Sequence, residues 1–296
     1  MSQIKLPIYR RLVRKLAYTS APLLSDKTFL KWFYWACIGK KLNLSNPKSF
    51  NEKLQWLKLH DRRSEYTNMV DKYEAKNYVA SIIGDEYINP TIAVYDNVND
   101  IDFDKLPNQF VLKCTHDSGG IVICEDKSKL NVKKALNKLN DSLSHTFYNV
   151  TREYPYKNVT PRIIAEPYLV DESGWQLKDY KVFVFNGIPR FIEVDYDRYI
   201  GHKLNVYDTD WNFIDFYMTS PNDKNVEIKR PAQLEKMLEF AEKLATNIPF
   251  LRVDFYSIGD KLYFGELTFY PGCGFIDFHP QKYDLILGDM LNLNNI

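Results

Sequence analysis

The sequence predicts an α+β fold of two interwoven lobes, preceded by a helical and basic extension. Strand-like runs rich in β-branched and aromatic residues recur from Phe110 to Thr268, with amphipathic helical patterns among them. No repeat, low-complexity tract or polar linker after Ser49 offers a cut point between the lobes. The first 42 residues differ from the rest: Lys5, Arg10, Arg11, Arg14, Lys15, Lys27, Lys31, Lys40 and Lys41 face a single acid, Asp26. The expected division is therefore 1–48 as an extension and 49–296 as one domain.

Global properties exclude some functions. A formal charge of +1 over 296 residues gives no general attraction to nucleic acid. An aromatic content of 15% argues for a packed chain rather than a disordered one. Cys37, Cys114, Cys124 and Cys273 show no CxxC spacing, as expected of free thiols in a reducing cytoplasm. No signal-peptide pattern is present, and the apolar stretch FLKWFYWACI is too short to span a bilayer and contains Lys31. For the extension two readings stay open. It is either a surface-lying arm drawn to anionic lipid or another anionic polymer, or a helical appendage packed on the body with its charges in water.

Taken in order, the chain supports each element. Ser49 and Glu52 stand at capping-box spacing before a helix over 49–60, with Phe50, Leu54 and Leu57 on one face. A second helix is expected from about Val70 to Ile83, ended by Gly84. Pro90 opens a short strand, TIAVYD. In FVLKCTHDSGGIVIC, residues 110–124, two β-rich runs flank a loop of small and polar residues. Lys113 sits in an otherwise apolar strand, which is costly unless its ammonium has a partner, and phosphate would be one. The turn Ser118-Gly119-Gly120 would let backbone N–H groups approach the same phosphates. Residues 127–143 read as an amphipathic helix, PRIIAEPYLV as a strand, and LKDYKVFVFNGIPRFIEVDY as a hairpin turning at Asn186-Gly187. WNFIDFYM reads as a strand, Pro231 to Asn247 as a helix, and the tail 275–296 as a loop followed by a short helix. The Tyr-rich segment 145–158 has no assigned role.

The most informative stretch is 250–274, FLRVDFYSIGDKLYFGELTFYPGCG. Asp254 and Glu266 stand on two strands of a hairpin, and Arg252 shares a face with Asp254 by alternation. Hard cations such as Mg²⁺ take carboxylate oxygens, leaving positions for phosphate. A two-residue turn at Gly259-Asp260 would pair Asp254 with Gly265 and send Glu266 to the other face. Pairing Asp254 with Glu266 needs an odd-numbered loop or a compensating bulge, expected between Ile258 and Lys261.

The order Lys72, Lys113, Ser118-Gly119-Gly120, Glu166, Asp179, Asp254 and Glu266 resembles the ATP-grasp superfamily from about Ser49 to Leu293. The phrases SFNEKLQWLKLHDR, DKYEAKNYV, LPNQFVLKCTHDSGG, LKDYKVFVFNG, LRVDFY and ELTFYPGCGF are similar to its branch associated with teichuronopeptide and surface-polysaccharide biosynthesis. The resemblance implies an ATP-grasp fold, with two lobes enclosing an ATP site. It implies that Lys72 and Lys113 hold the ATP phosphates under a flap from His116 to Gly120. Glu166 would lie near the adenine amino group, backbone groups near Tyr168 and Leu169 would read the ring edge, and Asp179 would hold the ribose. Asp254 and Glu266 would ligate Mg²⁺, and Arg252 would stabilise the reacting phosphoryl group. Two departures stand out: Thr268 occupies the position where the family commonly has a third metal-side Asn, and the usual N-terminal βαβ lobe has no counterpart.

By the resemblance, the expected activity is an ATP- and Mg²⁺-dependent carboxylate–amine ligase. It would join an amino acid or other amine to a carboxylate acceptor, such as a uronic-acid polysaccharide or its lipid-linked precursor. The expected location is the cytoplasm, at the inner face of a bacterial membrane, with peripheral contact to anionic lipid. A glycosyltransferase of polysaccharide assembly and a catalytically silent ATP-binding scaffold remain the alternatives.

Overall fold

The structure, a computed structural model, describes residues 7–198 and 200–294. Lys5 of the basic extension lies outside them. The extension contains helices α1 (Ile8–Thr19) and α2 (Asp26–Ile38). Helix α3 (Phe50–His60) starts at the expected capping box: Ser49 Oγ accepts from the Glu52 N–H, and the Glu52 carboxylate accepts from the Ser49 N–H. Phe50, Leu54 and Leu57 are buried.

The single helix expected over 70–83 is instead two, α4 (Tyr66–Val70) and α5 (Glu74–Ile83). Asp71 causes the break. Its Oδ1 accepts from the N–H groups of Tyr73 and Glu74 at 2.8 and 3.3 Å, a local bond that restarts the helix one turn later. Lys72 is thereby placed in the gap, where its own N–H donates to the Thr115 carbonyl. Gly84, at φ 109°, ends α5 in a conformation few other residues adopt.

A four-stranded antiparallel sheet forms the smaller lobe from β1 (Ala93–Tyr95), β2 (Phe110–Cys114), β3 (Ile121–Cys124) and β4 (Ile163–Pro167), in the order β1-β4-β2-β3. Its other face packs on α6 (Val132–Leu143) through Leu112, Ala135 and Leu139. The Tyr-rich segment, which sequence reading left without a role, forms α7 (Phe147–Thr151) and a following 3₁₀ turn. It straps the extension to the body. Tyr148 Oη donates to Asp26, the first residue of α2, at 2.7 Å, and Arg152 pairs with the same carboxylate at 3.3 Å.

The larger lobe is a six-stranded sheet with β5 (Asp179–Phe185), β6 (Ile188–Tyr196), β7 (Lys203–Asp208), β8 (Phe213–Ile214), β9 (Phe250–Ile258) and β10 (Lys261–Thr268), ordered β10-β9-β5-β6-β7-β8. Helices α3, α5, α8 (Leu234–Leu244) and α9 (Lys282–Met290) contribute to its core. Asn186 and Gly187 turn the β5–β6 hairpin with φ of 49° and 80°, as the Asn-Gly pair predicts. Strand β7 was missed in the sequence, and the strand expected over WNFIDFYM shrinks to two residues. The cause is a tight turn at Trp211 (φ 69°), where the Asp208 carboxylate accepts from the N–H groups of Asp210 and Asn212. Helix α8 begins at Leu234, three residues later than Pro231 suggested, and ends at Leu244, before Asn247.

The key hairpin, β9–β10, departs from expectation in an instructive way. Its turn has two residues, since Ile258 pairs with Lys261. The irregularity lies not between Ile258 and Lys261 but farther along β10, where the register shifts between Phe264 and Glu266. Gly265 is the extra residue of this bulge, and Asp254 comes to face Glu266. A Cβ at Gly265 would stand 3.0 Å from the Asp254 carbonyl oxygen, so the bulge suits a residue without a side chain.

Candidate active site

The two sheets turn one face each toward a shared cavity of about 370 Å³. From the small lobe come Val111, Lys113, Ile121, Ile123 and Glu166. Alternation explains this set: Val111 and Lys113 are two apart on β2, and their partners on β3 and β4 lie on the same side. Lys113 and Glu166 are diagonal neighbours across the β2–β4 ladder, 2.7 Å apart. The partner that Lys113 required is therefore already present in the protein, and it is Glu166. Lys76, on α5, meets the other Glu166 oxygen at 2.5 Å. Burial acts to raise the Glu166 carboxyl, but Lys113 and Lys76 overcome it and hold the group below its ordinary range. For Lys76 burial wins, pulling the ammonium down against the pull of Glu166.

The large sheet faces the cavity with a charged row running across four strands. Glu193 pairs with Lys181, Lys181 with Asp254, and Asp254 with Glu266. One step along the strands, Arg252 pairs with Thr268 on the same face. Arg252 grips Asp254 with two bonds, Nε to Oδ1 at 2.7 Å and Nη2 to Oδ2 at 2.6 Å, and reaches Glu266 Oε1 at 3.0 Å. The Thr268 hydroxyl bonds the same Glu266 oxygen at 3.3 Å. Asp254 is 1% exposed, whereas Glu266 opens into the cavity with 45% of its side chain accessible. Burial, with Asp179 and Glu266 nearby, raises the Asp254 carboxyl, and Arg252 opposes this. Glu266 goes the other way: burial acts to raise it, but Arg252, Lys72, Lys181 and Lys113 hold it below its ordinary value.

Asp179 starts β5 at the cavity rim. Arg198 Nη2 donates to its Oδ2 at 2.6 Å, while Oδ1 is buried with no hydrogen-bond partner among the described residues. Lys181 is buried among Asp179, Glu193 and Asp195, whose charges overcome burial and raise its ammonium. Sequence reading missed Lys76, Lys181 and Arg198. Two of them were within reach: Lys181 lies two residues after Asp179 on a strand, and Lys76 four after Lys72 in a helical pattern.

Lys72 lines the cavity, with its ammonium lowered by burial and supported by Glu266 and Asp117. Its Nζ donates to the Asp117 carbonyl. Asp117 organises the loop: its carboxylate accepts from the Gly120 N–H at 3.0 Å and from the Ser142 hydroxyl. Gly120 is confined, since a Cβ there would stand 2.3 Å from Ser142 Oγ. Of the loop residues only Ser118 lines the cavity. The His116 ring turns away, its Nε2 within 3.1 Å of the Ser142 carbonyl and 3.2 Å of that of His145. Gly119 faces a separate cavity of about 390 Å³ with Lys138, Asp141 and His145. The cavity thus gathers Lys72, Lys113, Ser118, Glu166, Tyr168, Leu169, Asp179, Arg252 and Glu266, while His116, Gly119, Gly120, Asp254 and Thr268 stand behind or beside its lining.

Residues 52–292 match the family described as TupA-like ATPgrasp. The chain belongs to that family. It is an ATP-grasp family linked to surface-polysaccharide biosynthesis, and the α+β architecture of two lobes around one cavity is that of its fold class. Among curated proteins no sequence matches. Among solved structures the chain is similar to D-alanine-D-alanine ligase from Helicobacter pylori, with 16% identity and a TM-score of 0.43, over 83% of this chain and 70% of that one. It is similar also to the ATP-grasp ligase PsnB in complex with a phosphomimetic variant of its minimal precursor, Mg and ADP (9% identity, TM-score 0.43, 92% and 71% covered). A third is N5-carboxyaminoimidazole synthase from Aspergillus clavatus, at 12% identity and a TM-score of 0.39, over 68% of this chain and 44% of that one.

The residues present fit a nucleotide and a hard cation. The cavity offers an apolar sheet face of Val111, Ile121 and Ile123, and at its rim a buried acceptor, Asp179 Oδ1, that has no hydrogen-bond partner among the described residues. Among the described residues no three His, Cys, Asp or Glu side chains form a closed metal cage. Two carboxylates on one sheet face, with phosphate completing the shell, is a donor set that Mg²⁺ accepts.

Proposed function

We propose that the protein is an ATP-dependent carboxylate–amine ligase. A substrate carboxylate oxygen attacks the γ-phosphorus of ATP, releasing ADP and forming an acyl phosphate. An amine then attacks the acyl carbon, and inorganic phosphate leaves with the oxygen that the carboxylate supplied. Neither step needs an enzyme nucleophile; both need charge neutralisation, alignment and exclusion of water. The observation that carries this reading is the opposition across one cavity of Lys72 and Lys113 to Arg252 and Glu266.

In this reading Lys72, Lys113 and Ser118 bind the phosphates, while Gly119 and Gly120 shape the loop that carries Ser118. Glu166, Tyr168 and Leu169 border the adenine, and Asp179 takes a ribose hydroxyl on its unpartnered oxygen. Asp254 and Glu266, with Thr268 beside them, would hold Mg²⁺, which when bound supplies charge neutralisation to the phosphate oxygens. Arg252 touches both carboxylates, which supports a role for it in stabilising charge on the phosphoryl group in transfer. His116 serves by positioning: its ring ties the loop to α6.

The carboxylate is proposed to be a uronic acid on a bacterial surface polysaccharide or its lipid-linked precursor, and the amine an amino acid. Residues 49–296 would be the catalytic domain and 1–48 its extension, working in the cytoplasm at the inner face of the membrane with peripheral contact to anionic lipid. Among the described residues no helix is long and apolar enough to cross a membrane. The test is to incubate the protein with ATP, Mg²⁺, uronic-acid oligosaccharides and pooled amino acids, and to weigh the products. Amide formation with one ADP per product supports the reading. Sugar transfer from a nucleotide sugar, or ATP binding without turnover for any acceptor, replaces it with one of its rivals.

A further inference from the structure

The two helices of the extension are not equivalent. Helix α2 is built into the body: Phe29, Leu30, Phe33 and Tyr34 are buried, Phe33 packs edge-on against Phe275, and Asp26 is engaged by Arg62, Tyr148 and Arg152. Helix α1 leans on α2 through Ala17, its buried residue, and through Arg10, which donates to the carbonyls of Ala36 and Cys37. At 100° per residue Ile8, Leu12, Leu16 and Tyr9 share one arc, turned away from Ala17 at Ile8 and Leu12 and reaching round toward α2 at Tyr9. They are 74%, 57%, 56% and 59% exposed. Tyr9 meets Trp35 of α2 at 6.0 Å, so the exposed Trp35 and Trp32 continue the apolar patch across the helix pair.

What covers this patch is indicated by charge. Arg11 and Lys15 border the arc on α1, and Lys27 and Lys31 lie beside Trp35 on α2. All four are exposed, and none forms an ion pair among the described residues. The one acid of the segment, Asp26, is already held by three side chains of the body. An apolar centre carrying tryptophans, rimmed by unneutralised cations, complements the boundary between lipid headgroups and acyl chains. We propose that this α1–α2 face docks the protein flat on a bilayer containing anionic lipid, with Ile8, Leu12 and Leu16 entering the interface and Arg11, Lys15, Lys27 and Lys31 meeting the headgroup charge. The proposal rests on the membrane contact suggested above and is independent of the ligase chemistry.

The test uses the full chain and vesicles of phosphatidylcholine with phosphatidylglycerol, compared with phosphatidylcholine alone. The extension should not be deleted, because removing α2 would uncover Phe275 and release Arg152. Exposed point changes avoid this. Leu12→Glu with Leu16→Glu should weaken co-sedimentation by roughly tenfold or more. Each of Arg11→Ala, Lys15→Ala and Lys31→Ala should weaken it by about fivefold, and added salt should do the same to the wild type. ATP binding measured by calorimetry should be unchanged in every variant, which separates this outcome from failure of the ligase reading. Equal binding to both vesicle types, no binding to either, or indifference to the leucine changes would overturn the proposal. So would self-association of the wild type that Leu12→Glu with Leu16→Glu abolishes, since the occupant would then be a second copy of the chain.

Discussion

Lys113, Glu166 and Lys76 form a test of how the cavity is built before any nucleotide arrives. Glu166 is 5% exposed and Lys113 22%, so their contact is largely shielded from water. A hydrogen bond to a charged group under such conditions contributes about 1.5–3 kcal/mol. Lys113→Met removes the ammonium but leaves Glu166 with Lys76, so a loss of about 1–2 kcal/mol is expected, not the gain that a lone lysine on an apolar face would predict. Glu166→Gln leaves two ammoniums facing each other and should cost more, about 3–5 kcal/mol. Combined in a double-mutant cycle, the pair should show a coupling energy of about 2 kcal/mol. Because the native Glu166 carboxyl is held below its ordinary value of 4.5, the coupling should be present above that pH. It should fade as pH falls through the lowered native value. Urea unfolding of the four proteins measures the cycle. Additivity to within about 0.5 kcal/mol, or a more stable Lys113→Met, would refute the argument.

Other expectations concern the hairpin and the buried interior. Gly265→Val should leave the body folded but displace Glu266 from Asp254, lowering magnesium-dependent ATP binding by roughly tenfold or more; calorimetry giving wild-type affinity would show that the bulge does not matter. Asp254→Asn and Glu266→Gln should each keep the hairpin and abolish most turnover, and normal ADP release from either would remove that residue from the site. Glu153, buried near Lys58 and Cys273, has its carboxyl pushed up to about 7 by burial. The native state therefore keeps that proton while the unfolded chain loses it near 4.5, so stability should be full below 4.5 and fall by about 3 kcal/mol as pH rises to 7. Glu153→Gln should flatten that slope in pH-dependent unfolding, and an unchanged slope would exclude Glu153 as its source.

Local signals made part of this readable in the sequence. The capping box at Ser49, the Asn-Gly turn and the period-two alternation around Asp254 each act within a few residues, so spacing reveals them. What escaped depended on longer range or on competition. Asp71 split a helix that periodicity drew as continuous, because one side chain outbid the backbone for two N–H groups. The bulge was expected somewhere in the hairpin from the needs of Asp254 and Glu266, but its place at Gly265 follows from which residue tolerates contact with the Asp254 backbone. The family resemblance set Glu166 beside the adenine, and only folding shows that Lys76 and Lys113 converge on it from two elements. The Tyr-rich segment had no readable role because its partners, Asp26 and Ala21, lie more than a hundred residues away.

The most direct test of the central claim follows one oxygen atom. Uronic-acid oligosaccharides carrying ¹⁸O in the carboxyl group are incubated with the protein, ATP, Mg²⁺ and the amino-acid pool, and the released inorganic phosphate is analysed by mass. An acyl phosphate requires that one carboxylate oxygen leave with phosphate, so the account predicts singly labelled phosphate in step with amide. Amide accompanied by unlabelled phosphate, or label retained in a glycosylated product, would contradict it.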